Sequence, residues 1–130
     1  MIMAELNIND MKTGIEIIAD ERMRQIEEEG YTSENDDVQT DGGLPSAAAV
    51  YALIPNDRDH YLEEEECTMG EMIWPWAHHS YKPSKGDVYS LKHHTSEEFE
   101  ERIHELAKAG SLIAAEIDRL QRLNKQSCGE

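Results

Sequence analysis

A chain of 130 residues, 38% hydrophobic and 31% charged, is one domain with room for one modest core. Its 28 acids against 12 bases give a formal net charge of −16, which excludes direct grip on a nucleic-acid backbone, since that needs basic surface. No apolar run approaches the roughly 18 residues that cross a bilayer, so no membrane span is expected.

The opening M-I-M-A-E-L-N-I-N-D lacks a basic stretch followed by an apolar one, so a secretory signal is not expected. Residues 1–12 read as a short arm, with Leu6, Ile8 and Met11 available to pack. Thr13 and Glu16 have capping-box spacing, which satisfies two orphan amides at a helix start. Ile15, Ile18, Arg22 and Ile26 then recur at helical spacing, widened by Ala19 and Met23. Arg22 lies on that stripe and needs an acid from elsewhere, while Asp20 and Arg24 are spaced as an i,i+4 pair. Gly30 supplies the left-handed stop, and Tyr31 is expected to fold back on the helix end.

Residues 32–43 read as a loop. Asp41 suits the N-cap of the next helix, in which Pro45 is tolerated in the first turn and Leu44, Ala47, Ala48, Tyr51 and Ala52 form the buried side. Small residues there allow another helix to approach closely, and Pro55 ends it. Residues 55–94 are expected to be a long, partly helical connection with no strand, in which Ile73, Trp74 and Trp76 anchor on the core.

The last helix has the strongest pattern. After the Thr95–Glu98 capping pair, Phe99, Ile103, Leu106, Gly110, Ile113, Ile117 and Leu120 alternate in steps of four and three. This heptad seam is expected to be the core face, flanked by Ala107 and Ala114. Leu112 and Leu123 lie off it and suggest contact with a partner subunit; residues 124–130 are expected to fray. The fold expected is therefore all-α: one domain over 1–130, a small helical bundle with an N-terminal helical hairpin, a long irregular middle and a long C-terminal helix. The low mean hydropathy of −0.70 also favours a homo-oligomer, which buries more surface.

The charge is uneven. Residues 1–66 hold 18 acids and 4 bases, and residues 67–130 hold 10 acids and 8 bases. Around the first helix end, Glu27, Glu28, Asp36, Asp37 and Asp41 crowd both sides of one short connection and repel unless something cationic lies between them. Mg²⁺ or Mn²⁺ is one such cation, since two to four carboxylates plus substrate phosphates suffice for Mg²⁺, and it could activate a water. The plainer alternative is a solvated helix end, turn-forming aspartates and an N-cap. Trp74 and Trp76, followed by Lys82 and Lys85, could stack on a base and contact phosphate, or could simply anchor the loop. The histidine pairs with Cys67 lack any zinc-site spacing. With Cys128 in a polar tail, the two cysteines form no disulfide framework, which fits reduced thiols in the cytoplasm.

The segments E-R-M-R-Q-I-E-E-E-G-Y (21–31), D-D-V-Q-T-D-G-G-L (36–44), A-A-A-V-Y-A (47–52), W-P-W (74–76) with a downstream K-P, and K-A-G-S-L-I-A-A-E-I-D-R-L (108–120) resemble a family of small uncharacterised proteins encoded by phages and prophages. That resemblance implies a place in the host cell cytoplasm. The chain also resembles, more weakly, the all-α MazG-like NTP pyrophosphohydrolases, which hold Mg²⁺ with an E-x-x-E pair on one helix and an E-x-x-D pair on the next. It departs from them, because Glu97/Glu100 and Glu98/Glu101 have no E-x-x-D helix after them. Three functions stay open: a divalent-metal-dependent nucleotide pyrophosphohydrolase, an acidic module binding a basic host or phage protein through residues 20–66, and a nucleotide-binding protein without turnover.

Overall fold

A computed structural model describes residues 12–84 and 95–128. In chain order it contains α1 (Gly14–Glu28), α2 (Ser33–Asp37), α3 (Gly43–Ala52), α4 (Pro55–Arg58), β1 (Tyr61–Leu62), β2 (Cys67–Thr68), α5 (Met69–Ile73), a 3-10 turn (His78–Ser80) and α6 (Ser96–Cys128). The protein is all-α apart from the two-residue strands, which pair antiparallel as Tyr61 with Thr68 and Leu62 with Cys67. That hairpin, closed by an acidic turn with Glu66 at φ 56°, is a departure from the expected strand-free middle. Among the described residues no helix is long and apolar enough to cross a membrane.

Local signals act as read. Thr13 and Glu16 form both bonds of a capping box, Gly30 takes φ 73°, and the Tyr31 amide returns to the Gln25 carbonyl at 3.0 Å. The Thr95 and Glu98 amides likewise exchange bonds with each other's side chains. The stretch 32–43 is more ordered than a loop. The Thr32 hydroxyl accepts from the Asn35 amide at 3.3 Å, and this cap starts α2. Asp41 stands beside the cap rather than in it: Gly42, at φ 83°, is the N-cap of α3, and Asp41 accepts from the Gly43 amide at 3.1 Å.

The long helix α6 organises the rest, and α1, α2 and α3 all pack on it. Ala47 and Ala48 of α3 meet Ala109, Leu112 and Ala115 of α6, where small side chains let the backbones approach. Gly110 lies directly under Ile18 of α1, and a Cβ there would come within 2.6 Å of Ile18 Cδ1. That contact explains a glycine inside a helix, which otherwise costs about 1 kcal/mol against alanine. Further along, α6 stays helical to Cys128, where fraying was expected.

The faces of α1 and α6 differ from the expectation. In α6 the core side is Arg102, Glu105, Ala109, Leu112, Ala115 and Arg119, whereas Phe99, Ile103, Leu106, Ile113, Ile117 and Leu120 are 41–51% exposed. Leu112, expected to face a partner, is 2% exposed and in the core. In α1 the buried residues are Glu21 and Gln25, while Ile15 is 81% exposed and Ile26 is exposed as well. Asp20 pairs with Lys12, not Arg24, and Ala52 is exposed. The apolar pattern was correctly periodic, but the polar side of each helix carries the ion pairs that bind it to the fold.

The largest of these pairs is buried. Glu105 of α6 accepts from Arg58 Nη1 at 3.0 Å, from Arg102 Nη1 at 3.2 Å, and from the Ser84 amide and hydroxyl at 2.8 and 2.6 Å. The same arginines donate to the last carbonyls of α3: Arg102 to Tyr51 and Ala52 at 2.8 and 2.7 Å, and Arg58 to Val50 at 3.4 Å. Cations at a helix C-terminus complement its dipole and occupy its orphan acceptors. One carboxylate thus fastens α3, α4, α6 and the chain at Ser84.

Candidate functional site

The five acids expected to hold a metal are not gathered together. Glu27 is exposed, and Glu28 lies 3.7 Å from Arg24 at the surface. Asp36 is fully buried, with Oδ2 3.0 Å from Arg22 Nη2. Asp37 is bound at 2.7 Å by Arg122 from the far end of α6, and Asp41 is committed to the Gly43 amide. Among the described residues no three His, Cys, Asp or Glu side chains form a group able to hold a metal ion. The cations that relieve this crowded stretch are arginines. Arg22 does pair with an acid from elsewhere, as its place on the stripe required.

These pairings separate buried from exposed acids. Asp37→Asn should cost at most about 1 kcal/mol, because its partner is solvent-accessible and the pair is screened. Asp36→Asn should cost about 3 kcal/mol, because it removes the near, buried charge partner of Arg22 and leaves only the half-exposed Asp118 at 3.9 Å. Urea denaturation of the two variants side by side measures the difference.

The second group of residues does converge. Trp74, Trp76 and Lys82 line one cavity of about 220 Å³, together with Arg24, Tyr31, Tyr51 and Lys108. Lys85 lies outside the described residues. A second cavity of about 270 Å³ shares Tyr31, Trp76 and Ser80 with the first and is walled by Asn35, Asp36, Gln39 and Leu44. The shared wall makes them two ends of one cleft, on the scale of small-molecule sites.

Four elements build this cleft. Tyr31 is brought in by the turn after Gly30, and Tyr51 by the last turn of α3. Trp74 packs edge-on against both Tyr51 (5.6 Å, 90°) and Trp76 (5.3 Å, 85°). Its indole N–H donates to the Ala77 carbonyl and the Ser80 hydroxyl, and that of Trp76 donates to Gln39 at 3.2 Å. The tryptophans therefore anchor the middle segment to the core and wall the cleft at once. Burial pushes the Tyr51 phenol up to about 12 and raises Tyr31 too, so both remain neutral hydrogen-bonding groups near neutral pH.

The electrostatics of the cleft contrast with the chain as a whole. Arg24 is neutralised by Glu21 at 2.7 Å and Glu29 at 3.2 Å, and the first of these chiefly holds its pKa above the ordinary value. Among the described residues Lys82 and Lys108 have no carboxylate partner; Lys108 Nζ sits 5.5 Å from the Tyr51 ring centre as a cation–π contact. Among the described residues, Gln25 Oε1 and Asp36 Oδ1 are buried without a hydrogen-bond partner, and each residue lines one end of the cleft. Sequence reasoning missed Lys108, Arg24, Tyr31 and Tyr51. Only Lys108 left a signal, as the one charge among the small residues Ala107, Ala109 and Gly110. No family model, no curated protein and no solved structure matches this chain.

Proposed function

We propose that the protein binds a nucleotide in this cleft, with the base against the tryptophan and tyrosine side chains and the phosphates toward Lys82 and Lys108. The observation that carries this reading is two lysines without a carboxylate partner among the described residues, beside an aromatic-walled cleft in a chain of net charge −16. An apolar or cationic ligand would gain nothing from those lysines. A nucleotide uses both the π-faces and the cations. Titration of nucleoside triphosphates, followed by tryptophan fluorescence and calorimetry, tests it. Lys82→Ala/Lys108→Ala should weaken binding about ten- to a hundredfold, the loss expected when charge-assisted hydrogen bonds are removed. Absence of binding at millimolar nucleotide, or binding indifferent to the double substitution, would overturn the reading and leave the acidic surface as a face for a basic protein.

Turnover is a second reading, favoured by one feature: buried Asp36, with one oxygen unpartnered among the described residues, at the other end of the same cleft. Mg²⁺ is commonly held by one or two carboxylates together with substrate phosphates. In this reading it arrives with the nucleotide rather than in a cage of Glu27, Glu28, Asp36, Asp37 and Asp41. The weaker resemblance to the all-α MazG-like pyrophosphohydrolases would fit the same chemistry. Pyrophosphate release from a triphosphate with Mg²⁺ or Mn²⁺, lost in a folded Asp36→Asn variant, would establish it. Metal-independent binding without release leaves nucleotide binding alone.

A further inference from the structure

The cleft holds a third cation, fastened firmly on one edge and loosely on the other. Arg24 lines the same cavity as Lys82 and Lys108. Its Nε and Nη2 donate to the two oxygens of Glu21 at 2.9 and 2.7 Å. Glu21 is buried and is itself fixed by Gln25 at 3.2 Å and His104 at 3.3 Å. Burial alone would raise the Glu21 carboxyl, but the hydrogen bonds and charge of Arg24 outweigh it and hold it below the ordinary 4.5. This edge of the guanidinium is therefore a charged, bidentate clamp. The other edge differs. Nη1 donates to Glu29 at 3.2 Å, and Glu28 stands 3.7 Å from it. Both acids are exposed, and both lie at the C-terminal end of α1, where the helix dipole disfavours negative charge. An exposed pair of this kind is weak. Glu29 also lines the cavity itself, beside the three cations.

We infer that Arg24 is a third phosphate-binding group of this cleft, and that Glu29 is a built-in competitor which a polyphosphate displaces from Nη1. The inference rests on the phosphate end of the nucleotide site proposed above, and it narrows the ligand to a di- or triphosphate. A phosphate oxygen offers Nη1 the same charge and acceptor chemistry as the Glu29 carboxylate, so the exchange keeps a charge-assisted bond throughout. Glu21 holds the opposite edge meanwhile, so the guanidinium does not have to reorient. Such preorganisation removes part of the ordering cost of binding. The released Glu29 is already at the surface and turns to water at little cost. A monophosphate gives Lys82 and Lys108 one anionic group between them. Each further phosphate supplies an anion for Arg24. Glu29 thus sets a threshold that favours long phosphate chains over short ones.

The test is calorimetry on the full chain with inorganic tripolyphosphate and orthophosphate, and with ATP, GTP, CTP and UTP. Glu29→Gln should tighten tripolyphosphate binding about two- to fivefold, the range an exposed ion pair can withhold, and orthophosphate binding much less. Glu27→Gln makes the same charge change on an exposed residue outside the cavity wall and should leave both unchanged. No gain in Glu29→Gln, or an equal gain in Glu27→Gln, overturns the inference. Arg24→Gln/Glu29→Gln keeps the net charge of the cleft and should bind tripolyphosphate about tenfold more weakly than the wild type, because a charge-assisted bond is lost. Wild-type affinity in that variant overturns the inference equally. If circular dichroism shows that it has lost its helices, the comparison of Glu29→Gln with Glu27→Gln decides. Nucleoside triphosphates that bind no tighter than tripolyphosphate would overturn the nucleotide reading and leave the Arg24 site standing. No binding of any of these anions at millimolar concentration overturns both.

Discussion

Glu105→Ala is expected to lower the unfolding free energy by about 3–5 kcal/mol. The carboxylate is 5% exposed, and its removal leaves Arg58, which is fully buried, and Arg102 without their shared counter-charge. It also frees the Ser84 amide and hydroxyl, which bond to it at 2.8 and 2.6 Å. Because Arg58 and Arg102 hold the C-terminus of α3, the loss should spread to α3 and to the cleft wall at Tyr51. Glu105→Gln should cost less, since it keeps an acceptor and the packing. Burial alone would raise this carboxyl, but the Ser84 and Arg58 hydrogen bonds outweigh it, and its pKa falls below the ordinary 4.5. A group depressed in the folded state stabilises above its unfolded pKa and loses that contribution as pH falls through its folded value. The wild type should therefore lose stability below about pH 4.5 by a step that Glu105→Gln lacks. Urea melts between pH 3 and pH 7, a range chosen to bracket about 4.5, measure both effects.

Leu112→Ala should cost about 2–5 kcal/mol, because a buried leucine at the α3–α6 contact leaves a cavity that helices with small facing residues cannot close. Ile113→Ala, one residue on, removes a side chain that is 48% exposed in the single chain. Its cost should be small, because that side chain is not part of the folded core. It should be below about 1 kcal/mol, the range of surface substitutions. The contrast inverts the assignment that the heptad pattern suggested, and thermal melts of the two variants read it directly.

The sequence by itself determined what depends on near neighbours. The capping boxes at Thr13 and Thr95 and the stop at Gly30 lie within a few residues of their partners, so their geometry is written in local spacing. The helical period of α6 was equally legible, as was the small-residue face of α3. Trp74, Trp76 and Lys82 could be named as a group because they are close along the chain. Which face of α6 turns inward was not legible. Periodicity locates an apolar stripe and says nothing of whether its partner is the same chain or another. Burial of the opposite face rests on Arg58, 47 residues from Glu105, and on carbonyls of α3 about 50 residues from Arg102. The five acids show the same limit. Their mutual repulsion could be read from the sequence, but the cation that relieves Asp37 comes from Arg122, 85 residues away. Only the tertiary structure brings such groups together, because charge pairing and helix capping by remote side chains leave no spacing in the sequence to read.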